Sequence, residues 1–215
     1  MKYRNWKGMH LSAVGMGCMG LSHTYGKPLE KKDAIALLQQ AAAMGYTFFD
    51  TAEVYGTSDD PHINEKLVEE ALLPYRNQVT IATKFGIGFD QSSGKIPYPL
   101  IADSRPETIR KSVEGSLKRL GVDCIDLYYQ HRIDPNTAPE EVADTMASLI
   151  QEGKIRHWGI SECDESYLRR AHAVCPVTAI QNRYSMMYRN YEKLFPVLEE
   201  LGVAFVAFSP LANGF

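Results

Sequence analysis

Seven short apolar runs alternate with helical patterns along this chain, and nearly every run ends in a polar or ionisable side chain. The runs lie around Ala13–Gly17, Thr47–Asp50, Thr80–Lys84, Cys124–Gln130, Arg156–Ile160, Ala179–Asn182 and Ala204–Ser209. They are apolar almost throughout, as strands covered on both faces must be. Between them, Ala34, Ile35, Leu37, Leu38, Ala41 and Ala42 form one helical face, stopped by Gly45. Asp60-Pro61 reads as a cap with a first-turn proline, ahead of Leu67, Val68, Ala71 and Leu72. Ser104-Arg105-Pro106-Glu107 reads as a capping box on a helix closed by Gly121. Thr137-Ala138-Pro139-Glu140 repeats that device, with Gly153 as its stop. Two further helices are expected over Glu165–Val174 and Tyr191–Leu201, the second ended by Gly202.

Strict β-α alternation implies a parallel sheet with helical crossovers. An open doubly wound sheet and an eight-stranded barrel both satisfy it. Gly15-Met16-Gly17-Cys18-Met19-Gly20 matches the glycine fingerprint of a dinucleotide-binding open sheet. No helical pattern follows it, because Leu21 to Leu29 is polar and broken by Gly26 and Pro28. Without its strand-turn-helix context the match is rejected. The glycines instead let a strand pass close to a ligand.

The strand ends favour the barrel. Asp50, Lys84, Gln130 with His131, Ser161, Gln181 with Asn182, and Ser209 each close or follow a run. In a parallel barrel these ends share one face, and that face holds the active site. One such residue is more often a helix cap; six together point to a site. Read singly, Asp50 and Lys84 suit a structural ion pair, Tyr55 a loop packing role, and His131 a satisfied core histidine.

Composition narrows the function. Apolar residues make up 45% of the 215, charged residues 23%, and net charge is −3. That suits a globular α/β domain and argues against a nucleic-acid binder. Cys18, Cys124, Cys163 and Cys175 are widely spaced and read as reduced thiols of a cytoplasmic protein, with no metal site. His10, His23, His62, His157 and His172 show no metal-ligand spacing and read as surface or packing residues. No signal peptide and no membrane span is visible.

Phe49-Asp50-Thr51-Ala52-Glu53-Val54-Tyr55-Gly56 resembles the D-T-A-x-x-Y-G signature of the aldo-keto reductases. Ala82-Thr83-Lys84, Asp126 to His131, Gly153 to Ser161 and Ser209-Pro210-Leu211 resemble later motifs of that family, in order. The style is closest to its bacterial, fungal and plant branch. The resemblance implies a parallel (β/α)8 TIM barrel, here one incomplete domain over residues 1–215 that lacks the eighth strand and the C-terminal helices. It implies catalytic Asp50, Tyr55, Lys84 and His131. It implies cofactor contacts from Gly17, Cys18, Met19, Asp50, Ser161, Glu162, Gln181, Phe208, Ser209, Pro210, Leu211 and Gly214. Glu162 stands where Asn is common, and a carboxylate cannot donate to an amide oxygen. Met19, Tyr25, Tyr55 and His131 are expected to border the substrate, with Trp158 beside them.

The implied reaction is reduction of an aldehyde or ketone by NADPH, with NADH also admitted. An isolated tyrosine has a pKa of about 10. Lys84 is expected to lower that of Tyr55, Asp50 to hold Lys84, and His131 to orient the carbonyl. Two other classes stay open: a nucleotide-binding or protein-binding barrel without catalysis, and a Schiff-base aldolase on Lys84. Seven strands leave two unpaired edges, which invite pairing with a second copy.

Overall fold

In a computed structural model, the structure describes every residue except His23, Ser58, Ile96, Pro97, Asn213 and Phe215. The reading of His23 as a surface or packing residue therefore lies outside the described residues. A curled seven-stranded parallel sheet forms from β3 (Met16–Gly17), β4 (Phe48–Asp50), β5 (Thr80–Phe85), β8 (Ile125–Gln130), β9 (Ile155–Ser161), β10 (Ala179–Arg183) and β11 (Ala204–Phe208). The strands lie side by side in chain order from β3 to β11. Among the described residues, those two outer strands each pair on one side only.

Helices α1 (Lys31–Ala43), α2 (Ile63–Leu72), α3 (Pro106–Leu120), α4 (Pro139–Gln151), α5 (Glu165–Val174) and α6 (Phe195–Leu201) cross over between them. Two core layers result. Phe48, Ala82, Leu127, Tyr129 and Ala179 fill the inside of the curl. Larger clusters, with Ile109, Tyr128, Met146 and Trp158 in one and Leu38, Phe49, Val68 and Ile81 in the other, lie between sheet and helices. Side chains alternate in a strand, so Phe48 and Asp50 face one way while Phe49 faces the other.

Two hairpins were not legible as strands. β1 (Tyr3–Trp6) and β2 (Met9–Ser12) pair antiparallel and close the N-terminal end of the curl. Their loop, Lys7-Gly8, has positive φ at both residues (49° and 83°), the geometry of a tight primed turn. Trp6 Nε1 donates to Thr178 O (3.1 Å), tying the hairpin to the floor. At the other end, β6 (Ile87–Phe89) and β7 (Leu100–Ala102) form a second antiparallel pair.

Several helix starts differ from expectation. α2 begins at Ile63, because Asp60-Pro61 forms the turn ahead of it. Neither capping box forms, and the N-cap residues are Arg105 and Ala138. Ser104 Oγ instead accepts from Gln130 Nε2 (3.0 Å), and Thr137 Oγ1 donates to Asp134 Oδ2 (2.9 Å). The two hydroxyls thus serve the end of β8 and the loop after it. Leu37 is 40% exposed rather than part of the buried face of α1. The Tyr191–Leu201 segment splits into a short 3-10 turn and α6.

Candidate active site

Asp50, Lys84, Gln181 and Phe208 each lie two residues beyond an inward-facing residue of their own strand (Phe48, Ala82, Ala179 and Val206), His131 follows β8 two residues beyond Tyr129, and Ser161 is the register partner of Gln181, so all six face the C-terminal mouth. Gln130 and Asn182, one residue out of step, point outward and are corrections to the expected strand-end set. Gln130 bridges Ser104 and Tyr167. Asn182 holds the loop after β9, through Glu162 N and Cys163 O.

Lys84 sits at the centre, with its side chain 1% exposed. An ammonium has three donors, and all three are engaged: by Asp50 Oδ1, by Thr51 O (2.8 Å) and by Tyr55 OH (3.1 Å). Burial works against its charge, but Asp50 and Tyr55 outweigh that and raise the Lys84 pKa. A lysine held as an ammonium is no nucleophile, so the Schiff-base reading loses its base. The other carboxylate oxygen of Asp50 accepts from Gln181 Nε2 (2.8 Å).

Tyr55 departs from expectation. Burial raises its pKa, Lys84 lowers it, Asp50 raises it again, and the net shift is upward. The carboxylate that fixes Lys84 also opposes its pull on the phenol. Tyr55 is therefore held as a neutral O–H donor, not as a phenolate. His131 meets its ring edge-to-face, with centroids 5.5 Å apart.

The Tyr55 loop is fastened from behind. Buried Asn64, on α2, donates to Cys18 O (2.9 Å) and Ser22 Oγ (2.6 Å) and accepts from Thr51 Oγ1 (2.6 Å). Ser22 Oγ in turn donates to Tyr55 O (2.9 Å). Gly56 must be glycine, because a Cβ there would lie 2.1 Å from Asp60 O. Glu53 reaches the far side of the loop, where it accepts from Gly86 N (3.2 Å) and Ser112 Oγ (3.2 Å). Burial, then neighbouring Glu65, push its carboxyl up to about 7. Asn64 was missed in the sequence, although a polar residue four positions before Val68 on an apolar helix face was a visible signal.

A cavity of about 390 Å³ opens beside this cluster. Met19, Val54, Ile87, Leu100, Ile101 and Ala102 form its apolar wall, and Tyr55, His131 and Arg132 its polar side. Tyr25 is a correction: it is 59% exposed, packs by Gly20 and is not among the lining residues. Trp158 is another, being fully buried between sheet and helices. The Cys18 side chain is likewise core, and burial, then Asp50, push its thiol up to about 12. Only its backbone, whose N–H donates to Asp50 O (2.8 Å), borders the mouth. Gly17 pairs with Asp50 across the sheet.

Ser161 and Gln181 are register partners on adjacent strands, and Phe208 closes the next strand opposite Arg183. A hydroxyl and a carboxamide side by side, next to an aromatic ring, suit a planar amide-bearing ring such as nicotinamide. Glu162 does not join them. Its carboxylate accepts from Arg183 N (2.7 Å) and Tyr191 OH (3.2 Å), and its φ is 58°. Beyond Phe208, Ser209 (φ 50°), Pro210, exposed Leu211 and Gly214 (φ 98°) form successive turns. Among the described residues, no group of three or more His, Cys, Asp or Glu can hold a metal ion. No helix of the described residues is long and apolar enough to cross a membrane.

A part-buried carboxylate, a buried ammonium and a buried phenol gathered at the C-terminal end of a curled parallel sheet place the chain in the class of (β/α)-barrel folds. The particular family is shown by comparison. The aldo/keto reductase family profile matches residues 13–215, and the chain belongs to that family. It is 44% identical over 212 residues to "Probable aldo-keto reductase 1" of Glycine max, covering 97% of this chain and 58% of that protein. It resembles the holo form of aldo-keto reductase AKR11C1 from Bacillus halodurans (TM-score 0.87, 31% identity, 100% of this chain and 68% of that one). It also resembles the glycerol dehydrogenase AKR11B4 from Gluconobacter oxydans (TM-score 0.86, 31% identity, 99% and 64%). The chain thus spans 58% of the length of the Glycine max relative.

Proposed function

We propose that this chain carries the reducing site of an NAD(P)H-dependent oxidoreductase that converts aldehydes or ketones to alcohols, with Tyr55 as proton donor. The observation that carries the reading is the triply engaged Lys84 ammonium, which directs one N–H at a protonated phenol beside a cavity. A nicotinamide cofactor, NADPH in the first instance and NADH as the alternative, supplies the hydride when bound. Ser161 and Gln181 hold its carboxamide and Phe208 its ring face, while Ser209, Pro210, Leu211 and Gly214 cover its phosphates. Met19 borders the substrate.

Tyr55 OH donates to the carbonyl oxygen and transfers its proton as negative charge develops there. The phenolate left behind faces Lys84, whose charge Asp50 maintains, and it regains its proton from solvent. His131 fixes the carbonyl in the same plane of approach.

Aldehyde-dependent oxidation of NADPH, measured beside a fluorescence titration with NADPH and NADH, tests the reading. Tyr55→Phe is expected to lower turnover by roughly 10²–10⁴-fold, the range for a general acid, while nucleotide affinity holds. Undiminished turnover in Tyr55→Phe overturns it. Nucleotide binding with no turnover in the unaltered chain points to a binding module instead.

A further inference from the structure

Arg132 is the one charged side chain lining the mouth cavity that the proposed chemistry does not use. Its Nη1 donates to His131 O (2.6 Å) and to Ser161 Oγ (3.2 Å), which fixes the guanidinium between the carbonyl-orienting histidine and the strand end of β9. Its cation acts on the Tyr55 hydroxyl, where it opposes the effect of burial. Asp50 and Lys84 cancel each other as an ion pair. Among the described residues, no carboxylate pairs with Arg132. The mouth therefore presents one uncompensated positive charge, with unused N–H groups, opposite a wall built from Met19, Val54, Ile87 and β7.

A guanidinium offers five donors in a fork that matches a carboxylate. An apolar wall facing it suits a hydrocarbon body. A cavity of about 390 Å³ suits a small molecule. We infer that this site prefers carbonyl substrates that also bear a carboxylate, such as oxo acids and carboxy-aldehydes with an apolar body, and that Arg132 is the residue that selects them. The inference rests on the carbonyl-reductase reading for its reacting group, but not for its anion site.

Two measurements separate them. The first is the ratio of kcat/KM for para-formylbenzoate to that for its methyl ester, which differ in charge and little else. The unaltered protein is expected to favour the carboxylate by about ten-fold or more, the scale of one hydrogen bond to a charged group. Arg132→Gln is expected to bring the ratio close to one, chiefly through KM, and Arg132→Lys to restore part of it. The second is calorimetric binding of benzoate against benzamide, without cofactor. Benzoate is expected to bind the unaltered protein about ten-fold or more tighter than Arg132→Gln, and benzamide to show no such difference. Equal benzoate binding by the two proteins overturns the inference. So does a carboxylate-to-ester ratio that Arg132→Gln leaves in place while NADPH affinity falls, since Arg132 would then serve the cofactor. Failure to reduce either aldehyde, with Arg132-dependent benzoate binding intact, counts against the reductase reading and supports the anion site.

Discussion

The two ends of the barrel carry similar charges and do different things with them. At the mouth, Asp50 meets Lys84. At the floor, Asp126 meets Arg76 (2.9 Å) and Arg156 (3.3 Å) and accepts from Ile81 N (3.0 Å). The floor also has the larger cavity, about 550 Å³ against about 390 Å³. Size and charge alone would therefore favour the floor. The difference lies in where the polar contacts lead. At the floor they run into guanidinium groups and backbone, which donate hydrogen bonds but do not give up a proton. At the mouth the third donor of Lys84 ends on a phenol that faces an apolar wall. In barrels of this kind the N-terminal end serves stability and the C-terminal end chemistry.

Lys84→Met should break that contrast most severely. It leaves the Asp50 carboxylate without its ammonium, a loss of about 3–5 kcal/mol for a buried pair. It also removes the group that stabilises the Tyr55 phenolate. Chemical denaturation and turnover of the folded fraction should both fall, and an unchanged turnover would mean that Lys84 is only structural.

The next effect concerns pH and the support behind the mouth. Glu53 is held at about 7 by burial and by Glu65, against the opposing pull of Ser112, Arg119 and Gly86. Its folded pKa lies above the unfolded value of 4.5. Stability from this group is thus fully present below pH 4.5 and is lost as pH rises through about 7. The loss is on the order of 3 kcal/mol. Glu53→Gln keeps an acceptor for Gly86 N and should flatten the unfolding free energy across that window. A variant with the same slope as the parent would show that Glu53 titrates normally.

Much of this was legible in the sequence, and the misses have physical reasons. All seven parallel strands were readable, because strands buried on both faces leave mostly apolar runs such as Ile125–Gln130, whose six residues are all buried. Their inward polar residues followed from position. Gln130 and Asn182 were misassigned because a strand end reads as one spot in sequence, whereas side chains alternate between two faces. The β1–β2 hairpin escaped because Arg4, Asn5 and His10 are polar and exposed. The capping boxes failed because Gln130, distant in sequence, takes up the Ser104 hydroxyl, and Asp134, in the loop just before it, takes up that of Thr137. The upward shift of Tyr55 was unreadable, since it depends on how completely the fold dries the phenol.

Smaller effects belong to the floor and test it as a purely structural cluster. Asp126→Asn should cost about 1–3 kcal/mol, the penalty for weakening buried partners, with kcat/KM of the folded protein retained. A kinetic defect there would join the two ends and undo the contrast.

Within the floor, the two arginines should separate again by exposure. Arg76 is partly buried and also donates to Val79 O (3.1 Å), so it is fixed in place by the backbone. Arg156 is 65% exposed and reaches Asp126 from solvent at 3.3 Å. Water screens that pair, and the long side chain loses freedom to make it, so Arg156→Ala should change stability by less than about 1 kcal/mol. The same variant in high salt should show a still smaller difference, because exposed charges are screened. A larger, salt-insensitive loss would mean that Arg156 holds the floor together as Lys84 holds the mouth, and the ends would then differ in chemistry but not in construction.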